Sequence, residues 1–405
     1  MNIETYLTVS PKVKYIPDYD PKESTGWAGV KALWYEGAEY RGKPTKVFAY
    51  IGYPERNAGE KVPAVVLVHG GGGHAYAHWI KLWNERGYAA IAMDTEGYFP
   101  AQEWKGLTGT EGEDAQMYTR ELYGELAEDN YHTGPCNDNM LPGDNPLEEQ
   151  WAYHAVIDTI LAHNILREDP NIDAEKIGIT GISWGSVIAS IAIGYDTRYA
   201  FAIPIYGSGY LEYADTYVCR GFKDENVRRL WSAADRLKEC KFPVLWMCGL
   251  KDVHFCSLSN SLSYLATKDH GSYVSIQEEL KHSHAAAWNG PESYRFADCV
   301  LNNRAPFVAA KNLEMNENEI LLTVDTPGDM VSVTVKMLYI TEAFAFSKGS
   351  IKTEPLNQFT EAQTSFDGTK VVAKIPENMH CCYFEFSGYV GKIKHISSTP
   401  WIYTK

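Results

Sequence analysis

The feature that most constrains the fold is an alternation of apolar, strand-like runs with helical patterns between residues 62 and 303. Val62–Val68 is a continuous, valine-rich run of the kind that forms a strand buried on both faces of a sheet. A helical pattern follows over residues 75–86, and a second buried-strand run follows over 88–93. A strand, a helix and a strand in this order predict a right-handed parallel crossover.

The alternation resumes after residue 147. Helices are predicted over residues 148–167, 183–195, 257–268 and 290–303, and strands over 176–180, 200–204, 242–248 and 274–278. Repeated strands and helices over about 240 residues predict one α/β domain with a mostly parallel sheet. Ahead of this alternation, runs over 31–40 and 46–53 predict an antiparallel hairpin.

The pattern changes after Pro306, where helical periodicity ends and apolar residues alternate with polar ones. Strands are predicted over residues 319–326, 331–340, 370–375 and 382–389. Short strands separated by turns over about 100 residues predict a small β-sandwich. The predicted organisation is therefore an α/β domain over residues 1–305 and a β-sandwich over residues 306–405.

Two stretches of the α/β domain do not follow the alternation. Residues 1–29 are rich in proline and lysine and are predicted to form a surface segment. Residues 96–150 are acidic and glycine-rich, and they predict a long excursion over the sheet with one short helix near 116–127. Long loops of this kind are usually functional.

The charge of the chain excludes two classes of partner. There are 37 Lys and Arg against 52 Asp and Glu, which gives a net charge of −15. Proteins that bind nucleic acid need a basic patch to neutralise phosphates, and anionic membranes attract basic segments. We therefore expect neither nucleic acid nor a membrane as a partner.

The eight cysteines form no CxxC pair, and their spacing suits neither a zinc site nor a disulfide framework. We expect reduced, structural thiols, and neither a metal nor another cofactor. The N-terminal Met-Asn-Ile-Glu-Thr-Tyr has no basic segment followed by an apolar one, as a secretory signal would. The cytoplasm is the expected compartment, with secretion or the periplasm as the alternative if a signal was removed.

The strongest chemical signal is Gly-Ile-Ser-Trp-Gly over residues 181–185, between a predicted strand and an apolar helix. A serine on a tight turn between a strand and a helix needs flanking glycines, because the backbone is strained and neighbouring strands lie close. The turn presents the hydroxyl above the sheet. Ser183 is therefore the candidate nucleophile, and an incidental serine on a glycine-rich turn is the alternative.

A second signal is His-Gly-Gly-Gly-Gly-His over residues 69–74, directly after the run at Val62–Val68. Consecutive glycines leave backbone N–H groups accessible, as an oxyanion hole requires. We assign this role to the N–H groups of Gly71 and Gly72, together with that of Trp184, the residue after the serine. The spacing matches neither GxGxxG nor GxxxxGK[ST], which disfavours a nucleotide loop.

A serine nucleophile needs a histidine base that a carboxylate orients, in the chain order serine, acid, histidine. Asp252 follows the strand predicted over 242–248 and is the candidate acid. Two histidines follow the next strand. We prefer His284 as the base because small residues follow it, and His282 is the second choice. His254, in the acid loop, is a candidate substrate contact.

Over roughly residues 30–303 the chain resembles the α/β-hydrolases. Residues 151–156, 178–185 and 204–209 resemble a narrower group, the acetyl xylan esterase-like and prolyl-oligopeptidase-like hydrolases. Such enzymes are serine hydrolases that tend to carry a C-terminal β-sandwich. The resemblance implies an α/β-hydrolase fold and a serine esterase. Ser186 stands where many relatives have a second glycine, which a first helical turn can tolerate.

Aromatic residues suggest the substrate class. Tyr98 and Trp104, in the excursion, are candidates to stack on a sugar ring or to pack the loop onto the sheet. Trp184 and Trp288 flank the proposed catalytic residues and would narrow the acyl pocket, which favours a short acyl group such as acetyl. The expected substrate is a small-molecule or oligosaccharide ester.

Three other readings stay open. They are a serine peptidase or aminopeptidase of the prolyl-oligopeptidase-like type, a uronoyl esterase, and a catalytically silent scaffold that binds glycan. A uronoyl esterase would need an Arg or Lys near the serine, and none is obvious from the sequence. A homo-oligomer is compatible with each reading.

Overall fold

The computed structural model describes residues 2–16, 29–97, 134–135, 137–141, 143–214, 216–342 and 359–404. The helix predicted near 116–127 lies outside these residues. The chain forms two compact units. The first comprises Met1–Gly207 and Gly221–Cys240, and the second comprises Ser208–Arg220 and Lys241–Lys405.

The described strands of the first unit form one sheet. In chain order they are β1 (Val13–Tyr15), β2 (Val30–Tyr40), β3 (Lys43–Gly52), β4 (Val62–Val68), β5 (Ala89–Met93), β6 (Ile172–Ile182) and β7 (Phe201–Ile205). Their order across the sheet is β1-β2-β3-β5-β4-β6-β7. The pairs among β5, β4, β6 and β7 are parallel, and β1 to β3 form antiparallel pairs at one edge. The predicted hairpin and the predicted parallel strands are therefore confirmed.

Helices connect these strands as the periodicity predicts. They are α1 (Ala77–Asn84), α2 (Trp151–Glu168) and α3 (Trp184–Ala192). A further helix of the first unit, α4 (Glu225–Trp231), follows β7 and is not among the predicted helices. Every residue of β5, β7 and α3 is buried, which explains why their sequences are apolar without alternation.

The N-terminal segment begins with a 3₁₀ helix at Asn2–Thr8 that is tied to the first unit. The side-chain amide of Asn164 donates hydrogen bonds to the carbonyls of Tyr6 and Val9, each at 2.8 Å. Arg198 donates to the carbonyl of Leu7 at 2.7 Å. These bonds satisfy carbonyls that a short helix leaves without partners, so the start of the surface segment is held in place.

The second unit contains two parallel strands and three helices before the sandwich. They are β8 (Leu245–Gly249), β9 (Tyr273–Gln277), α5 (Ser257–Thr267), α6 (His284–Trp288) and α7 (Pro291–Leu301). Four of the described C-terminal strands extend the sheet beyond β9. In order from β9 they are β17 (Ile393–Ser398), β16 (Cys381–Val390), β12 (Val331–Ile340) and β13 (Thr360–Ala362).

The C-terminal region consists of antiparallel strands. They are β10 (Ala309–Met315), β11 (Glu319–Asp325), β12 (Val331–Ile340), β13 (Thr360–Ala362), β14 (Thr364–Phe366), β15 (Lys370–Lys374), β16 (Cys381–Val390), β17 (Ile393–Ser398) and β18 (Ile402–Tyr403). A second sheet has the order β10-β11-β15-β14. Apolar side chains from both sheets, such as Ile320 and Leu322 from one and Phe384 and Phe386 from the other, share one buried core. The predicted β-rich C-terminal region is confirmed as a sandwich.

The predicted boundary near Pro306 falls inside the second unit. Strand β17 pairs with β9, and Ser398 lies opposite Val274 in the register. The hydroxyl of Ser275 also donates to the carbonyl of Ile396 at 2.6 Å. Because the sandwich shares a sheet with β8 and β9, contacts do not separate it from them. The division into residues 1–305 and 306–405 stays a prediction.

Two properties of the described residues bear on environment and cofactors. None of the described helices is long and apolar enough to cross a bilayer. The described cysteines are buried and form no disulfide with one another; they are Cys219, Cys240, Cys248, Cys256, Cys299, Cys381 and Cys382. Among the same residues, no group of three or more His, Cys, Asp or Glu is arranged to hold a metal ion.

A buried glutamate makes the stability of the second unit depend on pH. Glu292, on α7, accepts a hydrogen bond from the backbone N–H of Ile396 at 2.9 Å. Burial raises the pKa of Glu292 from 4.5 to about 7, although its hydrogen bonds oppose the shift. Folding raises the pKa of Glu292, so its protonated carboxyl group favours the folded state. This contribution to the free energy of unfolding is complete below about pH 4.5 and is lost as the pH rises through about 7.

We expect Glu292→Gln to remove this dependence, since glutamine keeps an acceptor for Ile396 and cannot ionise. The free energy of unfolding of the wild type should fall by about 3 kcal/mol more than that of the variant between pH 4.5 and 8. Urea unfolding of both proteins at the two pH values measures the difference. Parallel pH profiles would show that Glu292 does not titrate in this range.

Candidate active site

Ser183 lies at a sharp turn between β6 and α3. Its backbone angles are φ 57° and ψ −120°, in a region that residues with a side chain rarely adopt. The backbone N–H of Ser183 donates to the carbonyl of Ile205 at 2.9 Å, and its carbonyl accepts from the N–H groups of Ser186 and Val187. The strain is therefore supported by both a neighbouring strand and the helix that follows, as in a nucleophile elbow.

The glycines around Ser183 are required because the neighbouring backbone leaves no space for a Cβ. A Cβ on Gly181 would lie 2.2 Å from the carbonyl oxygen of Gly185, and one on Gly185 would lie 2.1 Å from that of Val68. A Cβ on Gly207 would lie 2.6 Å from the carbonyl oxygen of Ser183. The G-x-S-x-G spacing thus reflects backbone packed against backbone.

Ser186 takes part in the same turn. It is fully buried, and its hydroxyl donates to the carbonyl of Gly207 at 2.6 Å. A glycine at this position could not make that bond. The departure from the pattern of the relatives therefore adds a link between α3 and the segment after β7, and it leaves the elbow intact.

We expect Gly185→Ala to destabilise the protein, because the added methyl group would overlap the backbone of β4. The loss in the free energy of unfolding should be at least about 2 kcal/mol. Gly328→Ala is the matched control, since a Cβ at Gly328 meets no atom within 4 Å. Urea unfolding of the two variants checks the prediction, and equal stabilities would contradict it.

The two predicted oxyanion donors of the glycine turn after β4 have different surroundings. A Cβ on Gly71 would lie only 2.6 Å from Cδ1 of Trp184, so the structure brings Gly71 and Trp184 together. Within the described part of the chain, the N–H of Gly71 donates to no protein acceptor. The N–H of Gly72 instead donates to the carboxylate of Glu96 at 3.0 Å. The assignment of Gly72 is corrected accordingly, because its N–H already has an anionic acceptor.

His69 fixes the glycine turn, a role that the sequence analysis did not assign. The backbone N–H of Thr95 donates to Nε2 of His69 at 2.9 Å, so this nitrogen carries no proton. The proton is therefore on Nδ1, which donates to the carbonyl of Gly70 at 2.8 Å. Trp151 holds Thr95 in turn, by donating from Nε1 to its carbonyl at 2.6 Å. The sequence feature that points to this role is the position of His69, directly after a buried strand and directly before the glycines.

The candidate acid and one of the two candidate bases are joined by a short hydrogen bond. Nδ1 of His282 donates to Oδ2 of Asp252 at 2.7 Å. The other carboxylate oxygen of Asp252 accepts from the backbone N–H groups of His254 and Phe255, at 2.8 and 3.0 Å. The side chain of Asp252 is 1% exposed and that of His282 is 20% exposed. This is the geometry of a buried acid that orients a reachable base, with Nε2 of His282 as the basic nitrogen.

The first-choice histidine does not make this contact. His284 is the first residue of α6, and its ring lies 5.9 Å from that of Trp288. Asp252 bonds to His282 instead, so the preference for His284 is corrected in favour of the second choice. The residue types around the two histidines do not distinguish them; their positions do, since His282 lies in the loop before α6 and His284 lies in α6 itself.

Two protein-family models match parts of the chain. The acetyl xylan esterase family model matches residues 22–211, and the prolyl oligopeptidase family model matches residues 145–299. A comparison with curated protein sequences gives no match. The solved acetyl xylan esterase from Paenibacillus sp. R4 is 19% identical, with 74% of this chain and 92% of that chain covered and a TM-score of 0.52. The chain has the fold of the α/β-hydrolases.

Other solved α/β-hydrolases are similar at a lower level. The acetyl xylan esterase 1 from Thermoanaerobacterium sp. JW/SL YS485 is 18% identical, with 68% of this chain and 86% of that chain covered and a TM-score of 0.48. The acylaminoacyl peptidase from Pyrococcus horikoshii is 20% identical, with 73% and 42% covered and a TM-score of 0.45. The chain therefore spans about two fifths of the length of that peptidase.

The candidate catalytic and oxyanion residues lie in both units of the chain. Gly71, Ser183 and Trp184 belong to the first unit, and Asp252 and His282 belong to the second. The chain order of serine, acid and histidine is the one that the fold uses. The matched families are both hydrolases, which supports an enzyme. Tyr98 and Trp104 lie outside the described residues.

Two predicted substrate contacts have different surroundings. The ring of His254 lies 4.6 Å from that of His282, so it is next to the proposed base. Burial lowers the pKa of His254, and His282 lowers it further, while Asp252 acts in the opposite direction. Lowering the pKa favours a neutral ring beside the base. Trp288 is 2% exposed, which makes it a packing residue of α6 rather than an accessible surface for a sugar.

Proposed function

We propose that the chain is a serine esterase that removes acetyl groups from carbohydrate esters such as acetylated xylan. The observation that carries the proposal is the Asp252–His282 hydrogen bond. The strained G-x-S-x-G turn at Ser183 precedes these two residues in the chain, as the order serine, acid, histidine requires. The match of the acetyl xylan esterase family model to residues 22–211, which include that turn, favours an ester substrate.

In the proposed mechanism, Oγ of Ser183 attacks the ester carbonyl while Nε2 of His282 accepts the hydroxyl proton. Asp252 stabilises the resulting imidazolium. The N–H groups of Gly71 and Trp184 donate to the oxyanion that develops on the carbonyl oxygen. The alcohol leaves with the proton from His282, and water then hydrolyses the acyl-enzyme by the same steps.

A short acyl group fits this site best. The ring of Trp184 packs against the backbone of Gly71 and lies edge-on to the ring of Trp151, with 5.9 Å between centroids. These rings fill the space beside the proposed oxyanion donors. We therefore expect the rate of hydrolysis of p-nitrophenyl esters to fall by about tenfold or more from acetyl to octanoyl. A maximum at octanoyl would be incompatible with an acetyl esterase.

A peptidase is the second candidate, because the prolyl oligopeptidase family model matches residues 145–299. One experiment separates the readings: acetate release from acetylated xylan, measured beside cleavage of a panel of blocked and free peptides. Acetate release without peptide cleavage supports the proposal, and the reverse result would replace it with a peptidase. A fluorophosphonate probe on the same preparation should label one serine, and a silent scaffold would not be labelled.

A further inference from the structure

The loops that carry Asp252 and His282 lie side by side in the second unit. The backbone N–H of Leu250 donates to the carbonyl of Gln277 at 2.8 Å. A Cβ on Gly249 would lie 2.2 Å from the carbonyl oxygen of Leu280, so the two backbones are in direct contact there. Any movement of one loop is therefore transmitted to the other.

Glu278 holds this pair of loops from one side. It is the first residue after β9, four residues ahead of His282. Its carboxylate accepts a hydrogen bond from Nζ of Lys336, on β12 of the sandwich, at 2.8 Å. Its other oxygen lies 3.6 Å from Nζ of Lys251, the neighbour of Asp252. One carboxylate thus joins the acid loop, the histidine loop and a sandwich strand.

Lys336 is itself held by the sandwich. It lies opposite Glu385 in the register of β12 and β16, and its Nζ is 3.3 Å from a carboxylate oxygen of Glu385. Glu385 is buried, and burial raises the pKa of its carboxyl group while Lys336 opposes that shift. The hydrogen bond from Lys336 is the main cause that keeps the pKa of Glu278 below its usual value. The lysine is therefore placed between two carboxylates that both favour its charge.

We propose that Lys336 is a positioning residue: it fixes, through Glu278, the loop that presents His282 to the reaction. The proposal rests on the proposed function for the role of His282. It gives the sandwich a part in the reaction, because a strand of that domain sets the geometry of the base. Side chains that are partly exposed to water contribute little to stability as ion pairs. We therefore expect the loss of Lys336 to make the histidine loop less ordered, and to change the stability of the fold little.

The test compares Lys336→Met with Lys336→Arg. We expect Lys336→Met to lower kcat for p-nitrophenyl acetate by about tenfold with KM changed less than about twofold, because a small displacement of the base slows the chemical step. Arginine should restore most of kcat, since it can bond to both carboxylates. Lys311→Met is the matched control: it removes another lysine of the sandwich that pairs with a carboxylate, that of Asp325.

A second readout does not depend on activity. Hydrogen–deuterium exchange should rise in the peptide that covers residues 278–284 in Lys336→Met and in Glu278→Gln, and it should stay at the wild-type level in Lys311→Met. Unchanged exchange in that peptide, or raised exchange with kcat unchanged, would overturn the proposal. If the wild type released no acyl group from any ester, the proposed function would fail, and the exchange data would still decide whether Lys336 orders the loop.

Discussion

Replacing Ser183 with alanine is expected to abolish turnover of p-nitrophenyl acetate, with kcat lowered by about 10⁴-fold or more. The change removes only Oγ, the atom that forms the acyl-enzyme. The contacts that support the turn are made by the backbone of Ser183, with Ile205, Ser186 and Val187. Alanine keeps these bonds and has the same Cβ, so the thermal unfolding midpoint should change little.

Ser190→Ala is the matched control for this variant. Ser190 is a buried serine on α3, the helix that follows the turn at Ser183. Its hydroxyl donates to the carbonyl of Ser186 at 2.7 Å. The Ser190→Ala variant should lose this hydrogen bond within α3 and should retain both turnover of p-nitrophenyl acetate and labelling by a fluorophosphonate. Undiminished turnover in Ser183→Ala, with the preparation freed of contaminating esterase, would remove the serine mechanism altogether.

The parts of the site that the sequence predicts are those set by local backbone geometry. The turn at Ser183 needs glycines at fixed positions because the strands on either side leave no space for a Cβ, and this requirement is visible as G-x-S-x-G. Asp252 is likewise predictable, since it follows the end of β8, where α/β-hydrolases place functional residues. The same holds for the parallel strands, whose burial makes them apolar throughout.

The parts that the sequence does not predict depend on contacts between distant segments. Gly71 and Gly72 are equivalent in the sequence, and only the carboxylate of Glu96, 24 residues from Gly72, distinguishes them. Strand β17 was not predicted because its pairing with β9 joins residues more than a hundred positions apart. Strand β10 is mostly exposed and carries no alternation that a pattern could detect.

The choice between His282 and His284 as the base also depends on the structure and not on the sequence pattern. His282 and His284 are separated by one residue, and both follow β9, so composition and spacing are almost the same for each. The distinction arises from the start of α6. Ser283 caps this helix by accepting from the N–H of Ala286, which makes His284 a helical residue and leaves His282 in the preceding loop. Only the loop residue then reaches Asp252.

We therefore expect opposite results from two alanine variants. His282→Ala should lower kcat for p-nitrophenyl acetate by about 10³-fold or more, because Ser183 then lacks a group that accepts its proton. His284→Ala should keep kcat within about threefold, since alanine is a good helix former and the ring that is lost packs on Trp288. Steady-state kinetics on the two purified variants, with thermal unfolding to confirm that both are folded, measures the effects.

The two variants control for each other, since each removes one imidazole from the same three-residue stretch. A partial rescue of His282→Ala by added imidazole would show that the lost group is a base and not a support for the loop. His284→Ala offers no such site and should not respond. The reverse pattern, with His284→Ala inactive and His282→Ala active, would mean that the Asp252–His282 hydrogen bond is structural and that the base lies on α6.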